Sequence, residues 1–476
     1  MAHWLKDRGF EAYAVRGGIA ALHGDATTVE SAEPPPARSA SEALGKALAA
    51  LRHRHFRLYS AGFVLSLTGN WVEATAFGYV VLLLGGSAAT LGLIGFLSTI
   101  PNLALILPAG ALADRYDGRK LLLAFQTLAM GVPTSLAVLW ALDALTVPLM
   151  GALAFLGGVL GALSFPAFQA ILATTVPRED LESAVAINSV SLQLARFLGP
   201  AIAGFLLATA GPTWVFALNA ATFPLLLAAL AALPSARRTA AAHTSRLGEA
   251  MVDGLHYVLG QRSMASLMLL TLLAGMFATP VVAFMLPAIV RSQLEAGGGT
   301  LGALAASIGL GSLLGAGALL TLARRPNKGE PILAGYFLTS LAIAAVGVST
   351  SVPLSLALGL LGGFFGVVFV GLSTVVVQAM SSDEMRARAM ALWAAAFVGV
   401  LPIGGLITAG LAAWLGAGGA VVVDGLITFF GGLLVVALRP ETRWLGCAAL
   451  PEACLAATNP PALALEEELE GAPSVR

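Results

Sequence analysis

The sequence predicts an all-α membrane protein, and three observations support that prediction. Of the 476 residues, 58% are apolar and only 11% are charged, whereas ordinary soluble domains have about 45–50% and about 25%. The apolar residues form blocks long enough for helices of about 20 residues to cross the ~30 Å hydrocarbon core, and they do not alternate as barrel strands do. The chain also contains 54 glycines, which let helices pack closely in lipid.

Twelve apolar blocks each predict one membrane-spanning helix. The central connection, residues 234–263, divides them into two pseudo-symmetric six-helix bundles at 57–233 and 264–438, between polar flanks at 1–56 and 439–476. In the connection, Leu247, Met251, Leu255, Val258 and Leu259 fall on one face of an amphipathic surface helix. The predicted spans are 58–84, 88–112, 121–142, 146–175, 184–210, 213–233, 264–290, 300–323, 331–350, 352–379, 389–414 and 418–438.

The basic residues beside these spans lie almost entirely on one side of the membrane. Eighteen lysines and arginines fall in the even-numbered loops and the flanks, while the opposite side has Arg291 alone. Because cytoplasmic loops carry the excess of lysine and arginine, we expect both termini in the cytoplasm of a bacterial inner-membrane protein. The first residues, up to Arg16, mix acids and bases without an apolar run, so we expect no signal peptide there.

Composition and motifs exclude several function classes. With 26 basic and 26 acidic residues, the chain has no basic field for nucleic acid. Cys447 and Cys454 match neither a disulfide framework nor a zinc site, and the six histidines all lie in predicted cytoplasmic segments. An ATP-driven pump would need the motif GxxxxGK[ST], but Gly45 and Lys46 are followed by Ala47. We therefore predict no enzyme activity, no cofactor and no metal site.

The two halves of the chain echo each other. The tripeptide TLG at 90–92 recurs at 300–302, an offset of 210, and the segment before Gly199 recurs before Gly404 at an offset of 205. Parallel repeats of six spans place a substrate site near the membrane midplane, between the halves.

Three motifs carry a family resemblance over about residues 50–440. Residues Gly110–Lys120, between the second and third spans, resemble the signature loop of the major facilitator superfamily. Residues Pro177–Asn188 and Arg196–Gly204 resemble its drug-efflux branch, and are most similar to the transmembrane secretion effectors, which include siderophore exporters and macrolide efflux pumps. Residues Asp383–Trp393 match the second-half pattern of that group. The resemblance implies alternating access, driven by an ion gradient, usually protons, in the export direction.

The expected function is export of an organic small molecule, such as a drug, a siderophore or another amphiphilic metabolite, by proton antiport. The expected partners are the lipid bilayer, one small-molecule substrate and protons, with no nucleic acid, and the protein is expected to act as a monomer. An uptake permease or facilitator is the main alternative, and a non-transporting scaffold or receptor is a remote one.

Two segments depart from the family pattern. The second copy of the signature loop, Thr321–Pro326, has no carboxylate at the position of Asp114. Residues 3–23 resemble the C-terminal remnant of a rhodanese-like domain, with an unrelated cytoplasmic tail as the alternative, and residues 24–45 are typical of a disordered linker.

Two of the resembling motifs supply candidate residues for conformational change. The signature loop implies a conformational latch in which Asp114 contacts helix ends and basic groups in one access state. Its candidate members are Gly110, Asp114, Arg115, Arg119 and Lys120. In the fifth span, Gly199, Pro200 and Gly204 predict a kink and close packing against another helix. A solvated charge cluster is the simpler alternative for the loop.

The charged residues inside the spans supply the coupling candidates. Glu73 lies near the centre of the first span among apolar residues, so we expect it to exchange the coupling proton. Arg196, at mid-depth in the fifth span, is expected to lie in the cavity wall and to hold a carboxylate or substrate. Asp424 is placed near the outer end of the last span, where water can reach it. For Glu73 and Arg196 a purely structural role is the alternative. Possible substrate contacts are Asn70, Gln169, Gln193 and Gln378.

Overall fold

The computed structural model describes residues 49–172, 174–233, 247–325, 327–382 and 384–445, and in these ranges the chain forms helices and no strand. The all-helical fold class is thereby confirmed. The proposed rhodanese-like remnant at 3–23 and the linker at 24–45 lie outside the described residues.

Six long helices make up the first half of the chain. Each begins and ends within a few residues of a predicted span. They are α1 (Arg54–Leu83), α2 (Ala88–Arg115), α3 (Gly118–Ala141), α4 (Val147–Leu172), α5 (Leu181–Thr209) and α6 (Pro212–Ala232).

The second half contains more breaks. Single π-helical turns, Ala274–Ala278 and Val281–Met285, join α8 to α9, and a third, Ala395–Gly399, follows α13. The helices are α7 (Leu247–Gly260), α8 (Arg262–Leu273), α9 (Leu286–Ser292), α10 (Gly298–Leu322), α11 (Gly329–Val348), α12 (Val352–Met380), α13 (Arg386–Ala394) and α14 (Leu401–Leu438).

Ten helical segments of the described chain are long and apolar enough to cross a membrane. Helix α1, with 30 residues, is not among them, because polar residues such as Asn70 and Glu73 lower its mean hydropathy. The last segment, Arg386–Leu438, has 53 residues, which is more than twice the length that one crossing needs. It is broken at Gly416, where φ is 74° and ψ is 172°.

Gly211 and Gly416 adopt nearly the same backbone conformation. Gly211, before α6, has φ 84° and ψ 177°, nearly the values of Gly416. Residues with side chains rarely adopt such a positive φ. The two glycines are 205 positions apart, which is the offset of the repeat before Gly199 and Gly404.

Small residues bring the two halves into contact. Gly204 of α5 faces Gly302 of α10 so closely that a Cβ on either glycine would overlap the backbone of the other. Gly92 of α2 packs in the same way against Gly405 and Ala409 of α14. Such seams of small residues are how helices associate in lipid, where there is little hydrophobic driving force between them.

The buried apolar clusters differ between the two ends of the helix bundle. At the end where α1 finishes and α2 begins, one cluster contains residues of both halves, including Val80, Leu91, Ile289 and Val421. At the opposite end, the cluster around Phe56, Leu122 and Ile171 is built from first-half residues. A separate cluster there, around Met264, Ile332 and Val376, is built from second-half residues. In the described chain, the halves therefore share a core at one end only.

Helix α7 lies at the end of the bundle where the halves have separate clusters. The Tyr257 hydroxyl accepts a hydrogen bond from the Ser382 amide (3.0 Å), and the Arg388 guanidinium is 3.3 Å from the Asp253 carboxylate. On the predicted apolar face, Val258 is buried, whereas Leu255 and Leu259 are exposed. One part of this apolar face therefore packs on the second half of the chain, and another part is exposed.

Candidate functional site

A cavity of about 450 Å³ lies near the middle of the first-half helices, within the usual range for small-molecule sites of about 300–1,000 Å³. Most of its lining comes from α1, α2, α3, α4 and α6, and the second half contributes Ala283, Phe284 and Pro287. The repeat predicts a site between the halves. This cavity lies instead mainly within the first half, and the second half closes one side of it.

Glu73 lines this cavity together with Asn219 of α6. The Asn219 side-chain amide donates a hydrogen bond to Glu73 Oε2 at 2.6 Å and approaches Asn70 Oδ1 at 3.4 Å. Asn219 is only 2% exposed. It can approach α1 because Gly69 has no side chain, and a Cβ at Gly69 would collide with the Asn219 amide and the Thr222 side chain.

The remaining polar groups of the cavity come from α2 and α3. The Gln126 amide of α3 donates to Ser164 Oγ of α4 at 3.2 Å, and Ser164 in turn donates to the Leu160 carbonyl at 2.7 Å. On α2, the Ser98 hydroxyl donates to the Gly95 carbonyl at 2.9 Å, while Asn102 is exposed to the cavity. Asn70 and Asn102 thus present exposed amide groups on walls that are mostly apolar.

Arg196 does not line this cavity. Its guanidinium carbon lies 5.2 Å from the centroid of the Trp71 ring, and the ion pairs of the described residues include none between Arg196 and Glu73. The reason is helical geometry, since Trp71 and Glu73 are two positions apart in α1 and side chains at that spacing point about 200° apart. Glu73 faces α6, and Trp71 faces Arg196 on α5.

Of the four predicted amide contacts, the structure brings only Asn70 to the cavity. Gln169 and Gln378 are exposed elsewhere, and Gln193 is partly buried on α5. Asn102, Gln126 and Asn219 also line the cavity, although the sequence did not single them out. Each of them is an amide side chain within an apolar span, as Asn70 is. That pattern alone does not show which amides lie together in the cavity.

The signature loop forms the α2–α3 corner. The Asp117 carboxylate accepts a hydrogen bond from the Arg119 amide at 2.9 Å and caps the start of α3. The Arg119 guanidinium donates to the Ala231 carbonyl at the end of α6, while Lys120 is exposed and no atom lies within 4 Å of a Cβ placed on Gly110. The side chain of Asp114 lies outside what the structure describes.

The glycine–proline motif of α5 packs on two neighbours. The helix runs from Leu181 to Thr209 with Pro200 inside it. Gly199 lies against Trp71 of α1, and Gly204 lies against Gly302 of α10. The motif therefore sits where α5 contacts both a first-half and a second-half helix.

The expectation that water reaches Asp424 is wrong, because the residue is 0% exposed. Its Oδ2 accepts a hydrogen bond from the Thr408 hydroxyl at 2.7 Å, and its buried Oδ1 has no partner in the described chain. The position of Asp424 along the span did not predict its exposure to water, because α11 covers this part of the helix. Ala344 of α11 packs directly on the adjacent Gly425. Asp424 follows Gly416 by eight residues, as Asn219 follows Gly211.

The described chain holds no group of three or more histidine, cysteine or acidic side chains that could bind a metal. The cavity itself offers one carboxyl group and several side-chain amides on walls that are mostly apolar.

Comparison with known proteins places this arrangement in a family. The transmembrane secretion effector family matches residues 45–456. The chain is 25% identical to the multidrug efflux pump Tap of Mycolicibacterium fortuitum over 80% of this chain and 95% of Tap. It is 27% identical to the enterobactin exporter EntS of Escherichia coli over 71% of this chain and 80% of EntS.

Of two further matches, one covers a small part of the chain and the other has low sequence identity. The chain is 34% identical to the staphyloferrin A transporter of Staphylococcus aureus, but over only 32% of this chain and 38% of that protein. The fold resembles the crystal structure of a mutant of the peptide transporter POT, with a TM-score of 0.64, 13% identity and coverage of 83% and 96% of the two chains. The protein is therefore a multi-pass membrane transporter of small molecules, and it belongs to the transmembrane secretion effector family of the major facilitator superfamily.

Proposed function

We propose that this protein exports an organic small molecule from a bacterial cell in exchange for protons. The observation that carries the proposal is a carboxyl group, Glu73, set in a drug-sized cavity with one hydrogen-bond donor, Asn219. Two of the relatives are described as an efflux pump and an exporter, which supports the export direction.

The architecture proposed for this function is a monomer of twelve spans in two six-helix bundles, in the inner membrane. Adding α1 to the ten candidate segments, and dividing Arg386–Leu438 at Gly416, gives twelve spans. The matching backbone at Gly211 and Gly416 supports two equivalent bundles. The one-sided distribution of basic residues supports cytoplasmic termini.

With the termini in the cytoplasm, the apolar cluster shared by both halves lies at the outer side of the membrane. The separate clusters then lie at the cytoplasmic side. This arrangement corresponds to a state closed to the outside, in which the cavity takes its substrate from the cytoplasm or the inner leaflet.

In the proposed cycle, the substrate and the proton compete for Glu73. Substrate binding from the cytoplasm displaces the proton, which leaves to the cytoplasm. After the halves rearrange, a proton from outside returns to the carboxylate and the substrate is released outward. Asn219 holds Oε2 in place throughout, and the contact of Arg119 with the end of α6 supports a latch at the α2–α3 corner that must rearrange at each turnover.

The test is Glu73→Gln, which mimics the protonated carboxyl. In everted membrane vesicles from an efflux-deficient host, acidified inside by respiration, compounds that the wild type exchanges for protons partly collapse the pH gradient. We expect Glu73→Gln to abolish that response for a panel of amphiphilic compounds while permitting downhill exchange of the same compounds.

The matched control is Asp143→Asn. It also removes one carboxylate, but in the exposed α3–α4 loop, where φ is 53°, a conformation that asparagine and aspartate both tolerate. A gradient response that persists in Glu73→Gln would place the coupling group elsewhere. A compound that enters cells by this protein would instead favour an uptake permease.

A further inference from the structure

The charge of the cavity restricts which molecules it can bind. Among the described residues that line it, Glu73 is the one ionisable group, and no lysine, arginine or histidine is present. The cavity with Glu73 ionised is therefore a binding site with a single negative charge on apolar walls.

Arg196, the cation that the sequence placed in the cavity wall, lies away from the cavity. Arg196 lies over the Trp71 ring, on the face of α1 opposite Glu73. A guanidinium over an aromatic face is stabilised there, and Arg196 does not contribute to the cavity lining. An anionic substrate would thus meet Glu73 without a positive group to offset the repulsion.

Glu73 keeps one oxygen for a ligand. Its described hydrogen bond, from Asn219, is at Oε2, so Oε1 is available to a donor on the substrate. Asn70 and Asn102 line the same space and are exposed to it. Together they can bind one charged end of a molecule and a few of its polar groups.

The opposite walls suit the apolar part of such a molecule. Phe77 of α1, Phe223 of α6 and Phe284 of the second half line the cavity with Leu91 and Ile94 of α2. Aromatic rings favour organic cations, since the ring face carries partial negative charge. The attraction between Glu73 and a cation is stronger beside these apolar walls than it would be in bulk water, because the local dielectric constant is lower.

We propose that the transported molecule is an amphiphilic organic monocation, and that anionic molecules are excluded from this cavity. The inference rests on the proposed function, since it takes this cavity as the transport site.

The experiment uses two probes of nearly the same shape and opposite charge, tetraphenylphosphonium and tetraphenylborate. Binding to the purified full chain in neutral detergent is measured by equilibrium dialysis at pH 7.5 or above, with binding to protein-free micelles subtracted. We expect tetraphenylphosphonium to bind at least about tenfold more tightly. Glu73→Gln should remove most of that preference, and Asp143→Asn should keep it.

Equal affinities, tighter binding of tetraphenylborate, no binding of tetraphenylphosphonium, or an unchanged preference in Glu73→Gln would each overturn the inference. The binding measurement does not depend on proton coupling. If the cation binds through Glu73 but no pH gradient drives transport, the proposed function fails and the charge preference stands. If Glu73-dependent transport is seen for anions alone, the proposed function stands and the inference fails.

Discussion

At the scale of single residues, the main contact of the candidate site is the hydrogen bond from Asn219 to Glu73. A carboxyl group inside an apolar helix is costly unless it has a partner, and the amide of Asn219 is that partner at 2.6 Å. Asn219 cannot take another position easily, because it is almost fully buried between α6 and the glycine surface of α1. It thereby fixes which way the carboxyl points into the cavity.

We predict that Asn219→Ala lowers the rate of proton-coupled transport at least about fivefold. The substitution removes the donor at Oε2, and an unsatisfied buried group costs about 1–3 kcal/mol. Transport is measured in the everted-vesicle assay at matched expression. Gln169→Ala removes an amide that is exposed away from the cavity and should transport at the wild-type rate. Equal rates for the two variants would show that Asn219 does not position Glu73.

The acid in the first span could be identified from the sequence because it interrupts an apolar block. Its partner could not, since Asn219 lies 146 positions away and gives the same signal as several other amides. The expectation that Arg196 lies in the cavity wall and holds a carboxylate depended on the direction of its side chain, which the span prediction did not supply. Arg196 contacts Trp71, which lies two positions before Glu73 and therefore on the opposite face of α1 from Glu73.

At the scale of helices, close packing depends on glycines that contact backbone across the two halves. Gly204 and Gly302 leave no room for a side chain at the α5–α10 seam. Other glycines are not constrained in this way. Around Gly410 of α14, no atom of a neighbouring helix lies within 4 Å of the position that a Cβ would take. Glycine content alone predicted close packing but could not distinguish these two kinds of position.

We predict that Gly204→Ala lowers the thermal unfolding temperature of the purified protein, whereas Gly410→Ala leaves it unchanged or raises it. Both substitutions add one methyl group and improve helix propensity. Only at Gly204 does that methyl overlap a neighbouring backbone, and overpacking of this kind typically costs about 1–3 kcal/mol. Thermal unfolding in one detergent, followed by intrinsic fluorescence, measures both. A Gly204→Ala protein as stable as Gly410→Ala would mean that the seam is not tightly packed.

Helix boundaries were predicted to within a few residues because length and hydropathy determine them in a membrane. The π-helical turns in the second half, such as Ala395–Gly399, were not predicted, since one extra residue per turn leaves no mark on an apolar sequence. The burial of Asp424 was missed for a related reason, because hydropathy along one span says nothing about the helix that covers it.

At the scale of the whole molecule, the distribution of apolar clusters predicts how the halves move. The shared cluster must separate for the cavity to open at that end, while the separate clusters of the opposite end can come together without unpacking either half. Gly78 and Pro287 lie across this boundary, from α1 to α9, and a Cβ on Gly78 would be 3.6 Å from Pro287 Cβ. That separation is typical of a disulfide.

We predict that the double variant Gly78→Cys, Pro287→Cys forms a disulfide on oxidation and stops transport, in a background where Cys447 and Cys454 are serine. Reduction with dithiothreitol should restore transport, because the bond holds the two halves closed at one end.

The matched control places both cysteines within the second half. Ala342→Cys and Gly362→Cys join α11 to α12, where a Cβ on Gly362 would be 3.5 Å from Ala342 Cβ. Oxidation of that pair should leave transport largely intact, since each half moves as a unit in alternating access. Disulfide formation is followed by the mobility shift on gels without reductant, and transport by the vesicle assay. If the oxidised pair at 78 and 287 transports normally, this boundary does not open during transport. If both pairs block transport equally, the halves do not move as rigid units.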